Sequence, residues 1–242
     1  MQSTQSDTLT IALTKGRILR ETLPLFAEAG LEPLESIERS RKLIFPTSVD
    51  GVSFVVLRGS DVPTYVRHGA ADIGVVGKDL LMEFGDEGLY EVLDLEIARC
   101  RLMTAGLNFS TRGHAAKIRV ATKFVNIARA HYASRGIQPN IIKLYGAMEL
   151  APIMNLADEI VDIVDTGNTL KANGMKPLDH IADISSRLIV NRASMRTRNS
   201  VISALVERLT TAVDSRRALQ CRLRYAGFRA QLRILQPQSK SR

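Results

Sequence analysis

Residues 162–170 read DIVDTGNTL and put two carboxylates, two threonine hydroxyls and a glycine into nine positions. The apolar run EIVDIV ends there and the helix-like stretch TLKANG begins, so the turn TGNT falls where unpaired backbone N–H groups and the helix dipole attract an anion. Gly167 admits a close approach of the backbone, and the hydroxyls of Thr166 and Thr169 can donate to phosphate oxygens. The carboxylates of Asp162 and Asp165 do not suit a bare phosphate. They suit a ligand that also offers ribose hydroxyls, or one with a magnesium ion riding on its phosphates. Taken alone, the stretch also reads as an ordinary helix start capped by Asp165 or Thr166.

Such a loop has to be held by strands and helices on either side, and the chain alternates the two. LTIAL (9–13), VSFVVL (52–57), DIGVVG (72–77), RLMTAGL (101–107), KIRVAT (117–122), IIKLYG (141–146), EIVDIV (159–164) and SSRLIVNR (185–192) read as strands, with helical patterns between most of them. This alternation predicts an α/β protein with mainly parallel sheets. A long helix follows from Asn199, and the polar stretch NFSTRGHAA (108–116) reads as a crossover. Crossings near 105–115 and 185–192 predict two lobes, residues 1–106 with 188–242, and residues 107–187. Between them a central cleft is expected at the carboxyl ends of the strands, where small ligands bind.

The 242 residues are 45% hydrophobic and 24% charged, an ordinary globular composition. With no apolar run long enough to span a bilayer and no leader-like start, the sequence is expected to be cytoplasmic, with no membrane partner. Cys100 and Cys221 lack the spacing of a zinc site or a disulfide framework. The net charge of +8 is concentrated at the end. From Asp214 onward eight Lys or Arg face one acid, +7, leaving 25 basic and 24 acidic residues, +1, in the first 213. Leu219, Leu223 and Ala226, then Phe228, Leu232 and Leu235, have helical spacing among these arginines. That tail reads as an amphipathic helix packed on the body or on a neighbouring subunit, as a docking surface, or as a loose polyanion contact.

The stretch Glu149–Leu170, ELAPIMNLADEIVDIVDTGNTL, resembles the signature of the ATP phosphoribosyltransferases, the first enzymes of histidine biosynthesis. Glu149, Ala157, Asp162, Ile163, Thr166, Gly167, Thr169 and Leu170 match it. Asn155 departs from it, standing where the family usually has glycine, which puts the geometry of that turn in question. IALTKGRIL, SRKLIFP, LRGSDVPTYVRHGAADIGVVGKDLL, CRLMTA, ATKFVN and DISSRLIVNR are similar to family segments in order and spacing, so the resemblance covers roughly residues 8–213. It implies a two-lobed fold like that of type II periplasmic binding proteins. Only some 30 residues follow the matching body, which is similar to the family's short form. Short forms are similar to one another in working as homodimers that join a regulatory subunit resembling histidyl-tRNA synthetase, in a hetero-octamer.

The implied reaction joins N1 of ATP to C1 of 5-phosphoribosyl 1-pyrophosphate and expels pyrophosphate. The attacking nitrogen already has a lone pair, so no Ser-His or Cys-His pair is needed, and His68, His114, His131 and His180 are assigned no catalysis. The resemblance gives the leaving group to Arg17 and Arg41 as the catalytic pair; arginine is permanently charged and forks onto phosphate. It gives the ribose hydroxyls to Glu149, Asp162 and Asp165, and the 5-phosphate to Thr166, Gly167, Asn168 and Thr169. Lys15, beside Gly16 at a helix start, is expected to meet phosphate. Arg58 either contacts ATP or braces its loop, and Asp72 either bonds a nucleotide or caps a turn. Gly74 and Gly77 would admit close backbone approach. Arg101 and Lys123 either neutralise the triphosphate or pair between lobes. Mg2+ would arrive on the substrate phosphates, with no metal site of the protein's own.

Two other classes compete. A two-lobed solute-binding module would share the architecture without catalysis, yet TKGR, SRKL and DTGNT hold more anion-binding groups than a sensor of a neutral metabolite uses. A nucleic-acid partner is disfavoured by the near-neutral body and by an aromatic content of 5%.

Overall fold

The computed structural model describes residues 8–85, 87–107 and 118–234, with side chains in the last helix as far as Arg222. The expected crossover at 108–116, with His114, and the tail positions beyond Arg222 lie outside these described side chains.

The elements run β1 (Leu9–Thr14), α1 (Arg17–Glu28), β2 (Ile44–Pro46), β3 (Val52–Leu57), α2 (Val62–Arg67), β4 (Ile73–Gly77), α3 (Lys78–Phe84), β5 (Leu89–Asp94), β6 (Cys100–Leu107) and β7 (Arg119–Thr122). There follow α4 (Val125–Ala133), β8 (Asn140–Lys143), α5 (Leu150–Ile153), β9 (Glu159–Val164), α6 (Asn168–Ala172), β10 (Met175–Ile184), β11 (Ser186–Asn191), α7 (Arg192–Thr197) and α8 (Asn199–Ile234). A six-stranded sheet has the order β2-β3-β1-β4-β11-β5, and a five-stranded sheet the order β10-β6-β9-β7-β8. Strands β1 and β4 are almost continuously apolar because both faces of the first sheet are covered. On one face α1 and α8 press Leu25, Phe26, Ile202, Leu205 and Leu209 onto Ile11, Phe54 and Val75; on the other α2 brings Val62 and Val66 onto Ala12, Val76 and Ile189. The second sheet is covered in the same way, with Leu170, Met148 and Ala151 on one face and Phe124, Ala128 and Tyr132 on the other.

The two-lobed α/β architecture is as expected, but the sheets are mixed. Four of the nine strand pairings are parallel and five antiparallel. The reason lies in the crossings. The chain enters the second lobe at Cys100 and re-enters the first at Ser186, in both cases from the cleft side, where the parallel strands end. Strands β6 and β11 therefore have to run outward, against their neighbours, and each makes both of its pairings antiparallel. The edge strand β2 adds the remaining one. Periodicity cannot reveal this, and the sequence reading also passes over β2, β5 and β10.

Sheet membership moves the lobe boundaries as well. Strand β6 lies wholly in the second sheet, so the first crossing falls between Asp94 and Cys100, not near 105–115, and the return is the single residue Ser185, ahead of 188. The two crossings lie side by side: Leu95 N–H donates to Ser186 O and Ser186 N–H to Ile97 O, both at 3.0 Å. Glu96 and Ala98 in the first crossing are left-handed, at φ 56° and 51°. A second interlobe contact lies between α3 and α4, where the Glu83 carboxylate accepts the N–H of Asn126 at 2.9 Å and of Ile127 at 3.1 Å.

Helix α8 is 36 residues long, about 54 Å. Its buried residues Ile202, Leu205, Leu209, Ala212 and Val213 keep helical spacing against the body. Arg216 then forks onto Glu28 at 2.7 Å, and Arg217 Nε donates to Glu96 at 3.0 Å. The start of the basic tail is thus packed on the body.

Candidate active site

Strand β9 carries Asp162 and Asp165 to the cleft, and Gly167 turns the chain into α6. Its φ of 80° and ψ of 3° lie in the left-handed region that glycine occupies without a Cβ penalty. The cap position of α6 is Gly167, which has no side chain to offer; of the two capping residues expected, Thr166 bonds the first turn weakly through its hydroxyl, and Asp165 is drawn to Arg17 instead. Leu170, 5% exposed, anchors the short helix in the core. A cavity of about 170 Å³ results, lined by Glu149 from α5's entry, Asp162, Asp165, Thr166, Gly167 and Thr169, with Met103 and Ala105 of β6 in its wall. Asn168 lies on the same turn, its N–H 3.4 Å from Thr166 Oγ1. Burial pushes the Asp162 carboxyl up; the Ile163 N–H and Lys123 pull it back, and Glu149 adds to the rise. Lys123 Nζ stands 3.9 Å from Asp162 Oδ1.

The first lobe supplies the opposite wall. Lys15 N–H is tied to Leu57 O at 2.9 Å, and Gly16, at φ 85° and ψ −137°, makes the bend from β1 into α1 that brings Arg17 over the cleft. Arg17 Nη1 donates to Asp165 Oδ2 at 2.7 Å across the cleft, and Nε to Glu21 Oε1 at 2.8 Å along α1. The Glu21 hydrogen bond raises the guanidinium's pKa; burial opposes it, and the charges of Glu21 and Asp165 with the Asp165 hydrogen bond add to the rise. Two residues separated by 148 positions, both expected at the site, are thereby in contact.

Beside them lies a wider space of about 500 Å³, lined by Asp94, Arg99, Cys100, Arg101, Asp165, Asp183, Ser185 and Arg187. Arg101 Nη2 reaches Asp165 O at 3.4 Å, and Arg187 pairs with Asp94 at 2.8 Å. Arg99 and Arg187 are missing from the sequence reading, although each adjoins a strand end on the cleft side. So is Asp79, 5% exposed in the first turn of α3, whose carboxyl is pushed up by burial and felt by Lys123 and Asp162. Burial pushes the Cys100 thiol up to about 11, so it is no thiolate nucleophile near neutrality.

Two expected residues stand elsewhere. Asp72 is at the amino end of β4, away from the cleft, and is 5% exposed. It accepts the Thr10 N–H at 2.8 Å, the Ser194 hydroxyl at 2.7 Å and the Arg198 guanidinium, so it ties α7 and α8 to the sheet and is no nucleotide ligand. Gly74 lies in mid-strand with Val66 Cγ2 only 2.7 Å and Val62 Cγ1 2.8 Å from where a Cβ would sit. It admits α2, not a ligand. Arg58, by contrast, follows β3 at its carboxyl end, next to the Leu57 O that takes the Lys15 N–H; it is exposed, and its carbonyl accepts the Asp61 N–H at 2.9 Å to close the turn into α2. Arg41 is exposed ahead of β2, whose antiparallel pairing with β3 carries it toward that same end, although it lines neither cavity.

Asn155, the departure in the signature, has φ 55°. Asparagine is the residue that best tolerates this region after glycine, and Arg119 secures it, bonding Asn155 O at 2.8 Å, Asn155 Oδ1 at 2.9 Å and Asp158 Oδ1 at 2.7 Å. The turn a glycine would make is kept.

A family model described as HisG, ATP phosphoribosyltransferase, matches residues 58–211. The ATP phosphoribosyltransferase of Marinobacter nauticus is 62% identical over 212 residues, spanning 88% of the chain and 99% of that relative. That of Chromohalobacter salexigens is 63% identical over 215 residues, 89% and 99% of the two chains. In three dimensions the chain is similar to one in the ATP phosphoribosyl transferase (HisG:HisZ) complex from Thermotoga maritima, with a TM-score of 0.74, 33% identity, and 86% of this chain and 100% of that one covered. The periplasmic aliphatic sulphonate binding protein SsuA from Escherichia coli shares the fold alone, at a TM-score of 0.56 and 15% identity, over 89% and 71% of the two chains.

Proposed function

The chain belongs to the ATP phosphoribosyltransferase family, and from that premise we propose how its cleft divides the work. As a pentosyltransferase of histidine biosynthesis it moves the phosphoribosyl group of 5-phosphoribosyl 1-pyrophosphate to ATP. The carrying observation is the cavity at the β9–α6 turn, lined by the acids Glu149, Asp162 and Asp165 together with the hydroxyls of Thr166 and Thr169 and Gly167, and with Arg17 bonded to Asp165. Thr166, Gly167, Asn168 and Thr169 take the 5-phosphate, and Glu149, Asp162 and Asp165 accept from the ribose hydroxyls. On binding, Asp165 exchanges Arg17 for the sugar, which frees the guanidinium to meet the departing pyrophosphate. N1 of the adenine attacks C1 with its own lone pair, so positioning and charge stabilisation supply the catalysis. Arg101 and Lys123, with Arg99, face the triphosphate.

Asp162 and Asp165 are oxygen donors of the kind magnesium accepts. Magnesium would arrive on the substrate phosphates, neutralise their charge, and meet these carboxylates there.

The chain acts as a short form: a homodimer in a hetero-octamer with a regulatory subunit resembling histidyl-tRNA synthetase. The similarity to a chain of the Thermotoga HisG:HisZ complex, covered in full, supports a partner subunit. Among the described residues no helix is long and apolar enough to cross a membrane; the cytoplasmic setting rests on the biosynthetic role of the family. Purified chain with magnesium, ATP and 5-phosphoribosyl 1-pyrophosphate should form the N1-ribosylated adenine product, followed by its shifted ultraviolet absorbance. Absence of product even with the regulatory subunit present overturns the reading.

A further inference from the structure

Once Asp165 turns to the sugar, Arg17 needs an anchor on its own lobe. We infer that Glu21 is the positioning residue for Arg17, holding its guanidinium by Nε while Nη1 and Nη2 stay directed at the cleft. The inference rests on the leaving-group role of Arg17 given above.

The geometry carries it. Glu21 lies one helical turn beyond Arg17, and its Oε1 accepts Nε at 2.8 Å. A bond at Nε is the one that leaves the outer fork of a guanidinium free for a second, bidentate partner. An exposed i,i+4 pair is usually loose and adds little. Here the carboxylate is pinned from the other side: Oε2 accepts the Ala98 N–H at 2.6 Å. Ala98 belongs to the crossing between lobes, where it and Glu96 are left-handed without being glycine, a conformation that persists only where the surroundings impose it. Arg17 Nη2 reaches the next carbonyl along, Arg99 O, at 3.5 Å. Glu21 thus ties Arg17 to the hinge. Burial alone would push its carboxyl up, but Arg17 and the Ala98 N–H hold it below the usual carboxylate range, so it is ionised whenever Arg17 needs it.

The test is a double-mutant cycle read by single-turnover product formation, with melting temperatures as a check on folding. Glu21→Ala should slow the chemical step roughly tenfold, with both KM values within about twofold of wild type, and Glu21→Gln, which keeps an acceptor for Nε, should fall between. In an Arg17→Ala background the same Glu21→Ala change should alter the rate by less than about twofold. A wild-type rate for Glu21→Ala, or an equal slowing with and without Arg17, overturns the inference while leaving the leaving-group role intact. Arg17→Ala at the wild-type rate overturns that role itself, and the inference with it.

Discussion

Replacing Gly167 with alanine separates two things a glycine does at a phosphate loop: adopting a left-handed backbone and letting a ligand come close. The backbone cost is set by φ 80° and ψ 3°, where an L-residue loses about 1 kcal/mol. Steric cost is negligible in the protein itself, because the nearest atom to an added Cβ is Val164 Cγ1 at 3.8 Å, ordinary contact. The expected loss of stability is therefore only about 1 kcal/mol, or about 2–4 °C in a chain of this size. Against phosphate the change should be larger. Losing one charge-assisted N–H bond costs about 1.5–3 kcal/mol, so the KM for 5-phosphoribosyl 1-pyrophosphate should rise at least about tenfold, with that for ATP nearly unchanged. Steady-state kinetics with each substrate varied, beside calorimetric melting, gives both numbers. Gly74→Ala is the counterpart: no backbone strain, but contacts of 2.7 and 2.8 Å with two buried valines, an overpacking cost of about 1–3 kcal/mol with both KM values unchanged. An unaltered pyrophosphate-substrate KM in Gly167→Ala would refute the close approach, and a raised ATP KM in Gly74→Ala would restore the ligand role denied to it here.

Asp79 carries a pH signature. Burial raises its carboxyl above the usual 3.8, against a pull from Lys123, so the folded chain holds that proton more tightly than the unfolded one. The stability this confers is present below about pH 4 and is lost as the pH climbs through the folded value. Asp79→Asn should therefore melt above wild type at pH 7.5 and level with it near pH 4, and a gap that ignores pH counts against the argument. At Asn155, alanine keeps the left-handed backbone and loses the Arg119 bond, for about 1–2 kcal/mol in denaturant melts. Glycine there should cost within about 0.5 kcal/mol of nothing, since backbone ease offsets the lost side-chain bond; finding glycine the worse of the two would remove φ from the explanation.

What could be read in the sequence was what lies close together along it. The phosphate loop and its acids occupy one stretch from Asp162 to Thr169, and the structure folds that stretch into one cavity. Asp72 and Gly74 were misplaced although the signal was present: a residue preceding a strand sits at its amino end, and ligands gather at the other. Glu21, Asp79 and Arg187 escaped because their partners, Ala98, Lys123 and Asp94 among them, reach them through tertiary structure. Arg41 could be named only by resemblance, and it lines neither cavity. The strand directions were lost for a related reason: hydrophobic spacing says that β6 and β11 are strands but not that the chain crosses the cleft to enter them.

That crossing has a mechanical side. Two adjacent backbone segments, hydrogen-bonded to each other, behave as a ribbon, which bends readily across its flat face and resists shear and twist. Together with the α3–α4 contact at Glu83, such a ribbon favours a single bending angle between the lobes over twist and shear. Whatever a bound sugar phosphate gains by spanning the turn at Gly167 and the guanidinium of Arg17 is spent on that single angle, and little is dispersed over rival orientations of the two halves.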